Sequence, residues 1–214
     1  MASLAVRKQR AKGAVKGLKK LYPDAHCELD FKTPLQLAVA TILSAQCTDK
    51  RVNVVTKTLF KRCKNVKDFA AIDIEELEGL VRSTGFYRNK AKSIQELSKA
   101  LIERFSGKMP KTMKELLTLR GVARKTGNVI LGSAFNLSEG IVVDTHMKRV
   151  SYRLGLTVQK DPVKVEQDLM QCVDPKDWNF FGHGMVWHGR RACYARNPDC
   201  GSCLLSKDCL KKGV

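Results

Sequence analysis

Four cysteines crowd into one short stretch, Cys193-x6-Cys200-x2-Cys203-x5-Cys209. A segment this short and thiol-rich has too few apolar side chains for a core of its own, so it must close around disulfides or a metal. The N-terminus, MASLAVRKQRAKGAVKGLKK, is basic but lacks the apolar centre of a secretory signal. Without an oxidising destination, the crowding reads as a metal site rather than paired disulfides. A zinc ribbon prefers two Cys-x2-Cys knuckles, and only Cys200 and Cys203 make one. The other four cysteines, Cys27, Cys47, Cys63 and Cys172, are scattered and read as buried thiols.

Charge narrows the partner. Lys and Arg number 39 against 21 Asp and Glu, a net +18 over 214 residues. Solubility needs far less, so a polyanion is expected, nucleic acid before membrane. No stretch is long and apolar enough for a transmembrane helix. The acid-free N-terminus has the composition of a transit peptide. However, Val15, Leu18 and Leu21 or Tyr22 recur at helical spacing until Pro23, which predicts a folded, basic-faced helix.

The chain shows no sustained apolar and polar alternation. The apolar run at 141–143 is too short to argue for a strand. Helical signals recur instead. PLQLAVATILSAQ (34–46) is apolar nearly all round, as a central buried helix should be. Asp73 with Glu76 and Thr112 with Glu115 have capping-box spacing. Short joints containing Gly or Pro separate the pieces. The pattern predicts an all-α protein of about ten helices.

Thr112 to Leu119 predicts one short helix with Leu116, Leu117 and Leu119 on its apolar side. RKTGNVILGSAF predicts a second, with Val129, Ile130 and Phe135 turned inward. Between them Gly121 lets the backbone approach a partner closely. The unpaired first amides of the second helix add an anion site suited to a DNA phosphate. Arg120, Arg124 and Lys125 bring positive charge to it.

This segment resembles the helix-hairpin-helix of the endonuclease III family of base-excision DNA glycosylases. The family pattern is Leu-Pro-Gly-Val-Gly-x-Lys-Thr-Ala. The chain matches it at Leu119, Gly121, Val122, Lys125 and Thr126, and departs at Arg120, Ala123 and Gly127. Loss of the second glycine at Ala123 is expected to loosen one amide–phosphate contact, with Arg120 compensating by charge. Lys125 falls on the family's catalytic lysine. A neutral amine can attack C1′ of a deoxyribose and form a Schiff base. A helix N-terminus and the neighbouring Arg120 and Arg124 disfavour the ammonium form. Read from spacing alone, Lys125 would be a phosphate contact.

Asp144, in GIVVDTHMKRV, falls on the family's catalytic aspartate within the shared Val-Asp-Thr-His. The residues alone make it a helix N-cap. The resemblance adds two roles, supporting activation of the lysine and stabilising positive charge on the sugar. His146 is grouped with the DNA-contacting residues, though its type suggests only a structural polar group.

A damaged base must leave the stack before it is cut, and the gap must be filled. LSAQCTD resembles the family's Leu-Ser-Ala-Gln-x-Thr-Asp, which sets Gln46 on the gap-filling glutamine. GFYRNKA resembles the wedge loop, with Phe86 where relatives often have leucine. Arg88 and Lys90 beside it are expected to serve phosphates. The cysteine spacing matches the family's four-iron four-sulfur loop, so the resemblance implies a 4Fe-4S cluster held by Cys193, Cys200, Cys203 and Cys209. Arg190, Arg191, Arg196 and Lys207 would give that loop a basic surface.

The resemblance spans roughly Leu18 to Cys209. It implies a two-lobed helix-hairpin-helix DNA glycosylase fold. A six-helix barrel lobe covers 28–139, with its hairpin at about 112–135. The second lobe joins 1–27 to 140–214, and Lys125 and Asp144 face a cleft between the lobes. The implied activity is excision of oxidised pyrimidines with an abasic-site lyase step, acting as a monomer on double-stranded DNA carrying damaged pyrimidines or abasic sites. The expected location is a prokaryotic cytoplasm and its nucleoid. Two alternatives are a mismatch-specific glycosylase of the same fold and a non-catalytic hairpin DNA-binding protein. Lys125 with Asp144, and the absence of a long extension after Cys209, argue against them.

Overall fold

The computed structural model describes residues 2–214. Among these it contains eleven α-helices, two 3-10 turns and no strand. The chain divides into two compact units, residues 28–137 and residues 1–27 with 138–214.

In the unit of residues 28–137, α2 (Pro34–Leu43) is the centre. Thr33 caps its first turn and Pro34 stands at the start, where a missing N–H costs nothing. Every residue from Leu37 to Leu43 is buried, and a leucine so placed contributes about 2 kcal/mol. The helix ends at Leu43, earlier than the apolar run predicts, because the chain turns through 44–46 with Gln46 at φ 54°. Around it lie α3 (Asp49–Arg62), α4 (Val66–Ala71), α5 (Ile74–Val81), α6 (Tyr87–Phe105), α7 (Met113–Leu116) and α8 (Arg124–Phe135). A full capping box opens α4 at Asn65 and Asp68. Asp73 caps α5 and Thr112 caps α7 through their own side chains.

In the other unit, α1 (Leu4–Leu21), α9 (Thr145–Leu154), α10 (Pro162–Cys172) and α11 (Trp178–Arg191) share one core. Leu18, Met147, Leu169, Phe181 and Met185 are fully buried in it. The C-terminal cysteine loop closes onto α1 through two glycines. A Cβ on Gly17 would stand 2.4 Å from Leu205 Cδ2, and one on Gly13 would stand 2.3 Å from Asp208 Oδ2. Small residues here let the loop lie flat on the helix.

Three local expectations are corrected. Leu117 is 46 % exposed and leaves the apolar side of the hairpin's first helix, because α7 stops at Leu116. Cys27 and Cys47 are half-buried, whereas Cys63 and Cys172 are buried. Burial pushes the Cys172 thiol up to about 11.

Candidate DNA-repair site and cysteine loop

The hairpin turns at Gly121, whose φ is +80°. A Cβ there would lie 3.1 Å from Ile42 Cδ1 and 3.2 Å from Ser93 Cβ. Glycine is therefore required twice, by the left-handed backbone and by close seating on α2 and α6. Leu119 and Val122 on either side are buried and hold the turn down. α8 then begins at Arg124 with Ala123 as N-cap, which supplies no capping side chain. Its first-turn amides sit at the positive end of the helix dipole, beside the turn. Lys125 is the second residue of α8 and is exposed. Arg124 is half-buried. Arg120 is exposed and bonds Glu96, Nη1 to Oε2 at 2.9 Å. Its charge is thus partly balanced within the protein.

Asp144 is the N-cap of α9, and its Oδ1 accepts the Met147 N–H at 2.8 Å. Buried Val143 and Met147 flank it, so the carboxylate stays half-buried and fixed. His146 turns toward α11 instead of outward. Its Nδ1 lies 3.2 Å from Arg149 Nη2, which donates to the Gly189 carbonyl at 2.9 Å. That is a structural bracket between α9 and α11.

Gln46 and Phe86 share a backbone oddity. Both are exposed, and both have left-handed φ values, 54° and 48°. Non-glycine residues pay for this conformation, which also recurs at the helix C-caps Ser106 and Asn136. Phe86 is 65 % exposed, an unusual setting for a phenyl ring. Arg88 lies over the Tyr87 ring, 5.2 Å from its centroid, and within 3.7 Å of Glu78. Lys90 departs from expectation. It is 5 % exposed and its Nζ donates to the carbonyls of Leu43 and Thr84 at 2.8 and 2.7 Å. It is turned inward and has no phosphate to serve. Its position on the buried stripe of α6, with Ile94, Leu97 and Leu101, is the sequence signal that reveals this.

The four loop cysteines line one cavity, walled by Val150, Leu154 and Leu205. Donors point at the sulfurs. Arg153 Nη1 lies 3.3 Å from Cys193 Sγ, and the Lys211 N–H lies 3.3 Å from Cys209 Sγ. His188 Nε2 lies 3.5 Å from Cys203 Sγ, while its Nδ1 meets the Tyr22 hydroxyl at 3.3 Å. Burial pushes the His188 imidazole down to about 4, so the ring is neutral at pH 7. Burial also pushes the Cys203 and Cys209 thiols up. Among the described residues, no three His, Cys, Asp or Glu side chains converge closely enough to hold a single metal ion. Arg153 further binds the Tyr194 and Ala195 carbonyls at 2.6 and 3.1 Å. Neither Arg153 nor His188 stands out as a motif. His188 falls on the apolar stripe of α11 with Phe181 and Met185, a polar residue where a core residue is expected.

An all-helical chain with a glycine hairpin feeding an uncapped helix, and a lysine at that helix's mouth, defines a helix-hairpin-helix protein. Residues 39–175 match the family model of the HhH-GPD superfamily base excision DNA repair proteins. Endonuclease III of Synechocystis is 52% identical over 98% of this chain and 95% of its own length. Endonuclease III of Bacillus subtilis is 47% identical over 88% and 86%. A solved trapped endonuclease III–DNA covalent intermediate superposes with TM-score 0.91 at 42% identity, covering 99% of this chain and 97% of that one. A thermostable thymine-DNA glycosylase shares the fold at TM-score 0.83 and 20% identity. The chain belongs to the endonuclease III family. No helix among the described residues is long and apolar enough to cross a membrane.

Proposed function

We propose that this protein is a DNA glycosylase and abasic-site lyase that removes oxidised pyrimidines from double-stranded DNA. The observation that carries the proposal is Lys125, exposed at the mouth of α8 immediately after the Gly121 turn. In that position the backbone amides can hold a phosphate while the amine reaches the sugar. The Lys125 Nζ lone pair forms a bond to C1′ of the damaged nucleotide as the C1′–N bond to the base breaks. The bonding pair leaves with the base, which takes up a proton. Ring opening gives a Schiff base. Loss of a C2′ proton then expels the 3′ phosphate and nicks the strand. Asp144, fixed as an N-cap, supplies the negative charge that offsets the cationic sugar. The endonuclease III that was trapped as a covalent intermediate with DNA supports a covalent route. Gln46 and Phe86 would fill the space left by the extruded nucleotide, and Gly121, Ala123, Arg120, Arg124 and Arg88 would meet the backbone.

The cysteine cavity fits a 4Fe-4S cluster. Four thiols line one apolar pocket, two N–H donors face sulfur, and the His188 ring lies against a third sulfur. Cys193, Cys200, Cys203 and Cys209 would ligate it. Bound there, the cluster supplies a rigid centre for a basic loop carrying Arg196 and Lys207. The protein would act on nucleoid DNA in the cytoplasm.

Borohydride reduction during reaction with a lesion-bearing duplex tests the lysine. Wild-type protein should give a covalent protein–DNA adduct, and Lys125→Gln should give none while still binding the duplex. An adduct from Lys125→Gln would remove Lys125 from the role of nucleophile.

A further inference from the structure

We propose that Lys90 is a positioning residue that locks the Gln46 and Phe86 loops into one gap-filling unit. The proposal rests on the glycosylase function assigned above. It begins with a buried cation held by backbone carbonyls. Its Nζ donates to the Leu43 carbonyl at 2.8 Å and the Thr84 carbonyl at 2.7 Å. These two oxygens end helical segments that lead into different loops. Leu43 is the last residue of α2, three positions before Gln46. Thr84 ends the 3-10 turn Arg82–Thr84, two positions before Phe86.

Each carbonyl lies at the C-terminal end of a helical segment, where the backbone lacks intrahelical partners and the dipole is negative. One ammonium group therefore caps two helix ends at once. Lys90 is also tied to the wedge along the chain, since its own N–H bonds the Phe86 carbonyl at 3.1 Å. The rest of the setting agrees. Gln46 and Phe86 both hold left-handed backbones, which cost about 1 kcal/mol or more each and persist only when their surroundings over-determine them. Burial lowers the Lys90 pKa, and nearby Cys47 opposes that shift. Retaining a cation in such a place costs solvation, a cost that packing alone would avoid with leucine or methionine.

Filling a gap in duplex DNA demands that two side chains from separate loops arrive together at a fixed spacing. Misplacement of about 1 Å costs roughly a hundredfold in rate. Lys90 sets that spacing by holding both backbones to one nitrogen.

The test compares wild type, Lys90→Met, the Gln46→Ala/Phe86→Ala double variant and the triple variant on two substrates. One is a lesion-bearing duplex, and the other is a single-stranded abasic oligonucleotide, which has no orphaned base and no gap. Lys90→Met should lower the ratio of duplex excision to single-strand nicking by roughly ten- to a hundredfold, mainly through kcat. In the background lacking Gln46 and Phe86 side chains, adding Lys90→Met should change duplex excision by less than about twofold. A 2-aminopurine opposite a tetrahydrofuran site should lose its insertion-dependent fluorescence change in Lys90→Met. An equal loss on both substrates, full additivity in the triple variant, or an unchanged fluorescence response would overturn the assignment. If Lys90→Met does not fold, Lys90→Gln, which keeps two donors, replaces it. Failure of both to fold would make Lys90 a scaffold residue and overturn the proposal. Wild-type protein inactive on both substrates would instead overturn the glycosylase reading, and the Lys90 proposal with it.

Discussion

Asp144 carries two roles that one substitution set can separate. Its carboxylate caps α9 by accepting the Met147 N–H, and its negative charge serves the proposed reaction. Asparagine is as good an N-cap as aspartate, whereas alanine loses about 1 kcal/mol of cap energy. Asp144→Asn should therefore keep its denaturant midpoint near wild type yet lose base excision by at least roughly a hundredfold. Asp144→Ala should show the same activity loss plus about 1 kcal/mol of destabilisation, read from urea unfolding. Equal activity in wild type and Asp144→Asn would reduce the residue to a cap. Both roles of Asp144 were open to sequence, because an aspartate before a helical run is a cap by its type and a candidate by its motif. Lys90 was read from the sequence as a phosphate contact, which its burial corrects, and His188 was not read at all. Each was counted by residue type, as a surface cation and as an unremarked histidine. Only helical phase places them inward, on stripes shared with Ile94 and Leu97 or with Phe181 and Met185.

At the level of the element, the hairpin departs from its family pattern at Gly127, and the reason is a neighbour in space. A Cβ on Gly127 would stand 2.5 Å from Met113 Sδ and 3.1 Å from its Cε. Met113 comes from α7, the first arm of the hairpin, and is 5 % exposed. The thioether thus fills volume that the pattern gives to an alanine methyl. Helix propensity alone predicts that Gly127→Ala stabilises α8 by about 1 kcal/mol. We expect the reverse, a net loss of about 1 kcal/mol, because the buried Met113 must leave its rotamer. Met113→Ala should cost about 2 kcal/mol or more through its cavity. The double variant should then be less destabilised than the sum of the singles by about 1 kcal/mol, a coupling that unfolding curves measure directly. Simple additivity would mean that the two side chains do not compete for space. The second arm itself was legible because α8 spans Arg124–Phe135, the stretch whose apolar residues predict it. The first arm was overestimated. The sequence extends it to Leu119, but the helix stops at Leu116 and the chain descends into turns that bury Leu119 and leave Leu117 outside. A run of leucines gives no sign of which one the turn will expose.

Across the molecule, the unit of residues 1–27 and 138–214 joins the chain's two ends, and the cysteine loop depends on that joining. Leu205, 2 % exposed, lies between Cys203 and Cys209 and rests over Gly17 of α1, while Asp208 rests over Gly13. Tyr22, just past α1, reaches the His188 ring that faces Cys203. The first helix therefore backs the loop that carries Cys203 and Cys209. The cysteine spacing singled out the proposed ligands in the sequence, but nothing local marks Gly13 and Gly17 as the floor of their loop, since that contact spans nearly the whole chain. Gly17→Val places two branches where Leu205 Cδ2 now sits, so the Cys203–Cys209 segment must lift. Purified Gly17→Val should carry less iron per chain and less visible absorbance than wild type, and should lose both faster to a chelator. Its freed cysteines should react with iodoacetamide, whereas Cys172, buried with its thiol pushed up to about 11, should stay unmodified until the fold opens. Gly79→Val on α5 is the matched control, because a Cβ there meets nothing within 4 Å. If Gly17→Val retains iron as well as Gly79→Val does, the loop holds its cluster without help from the first helix.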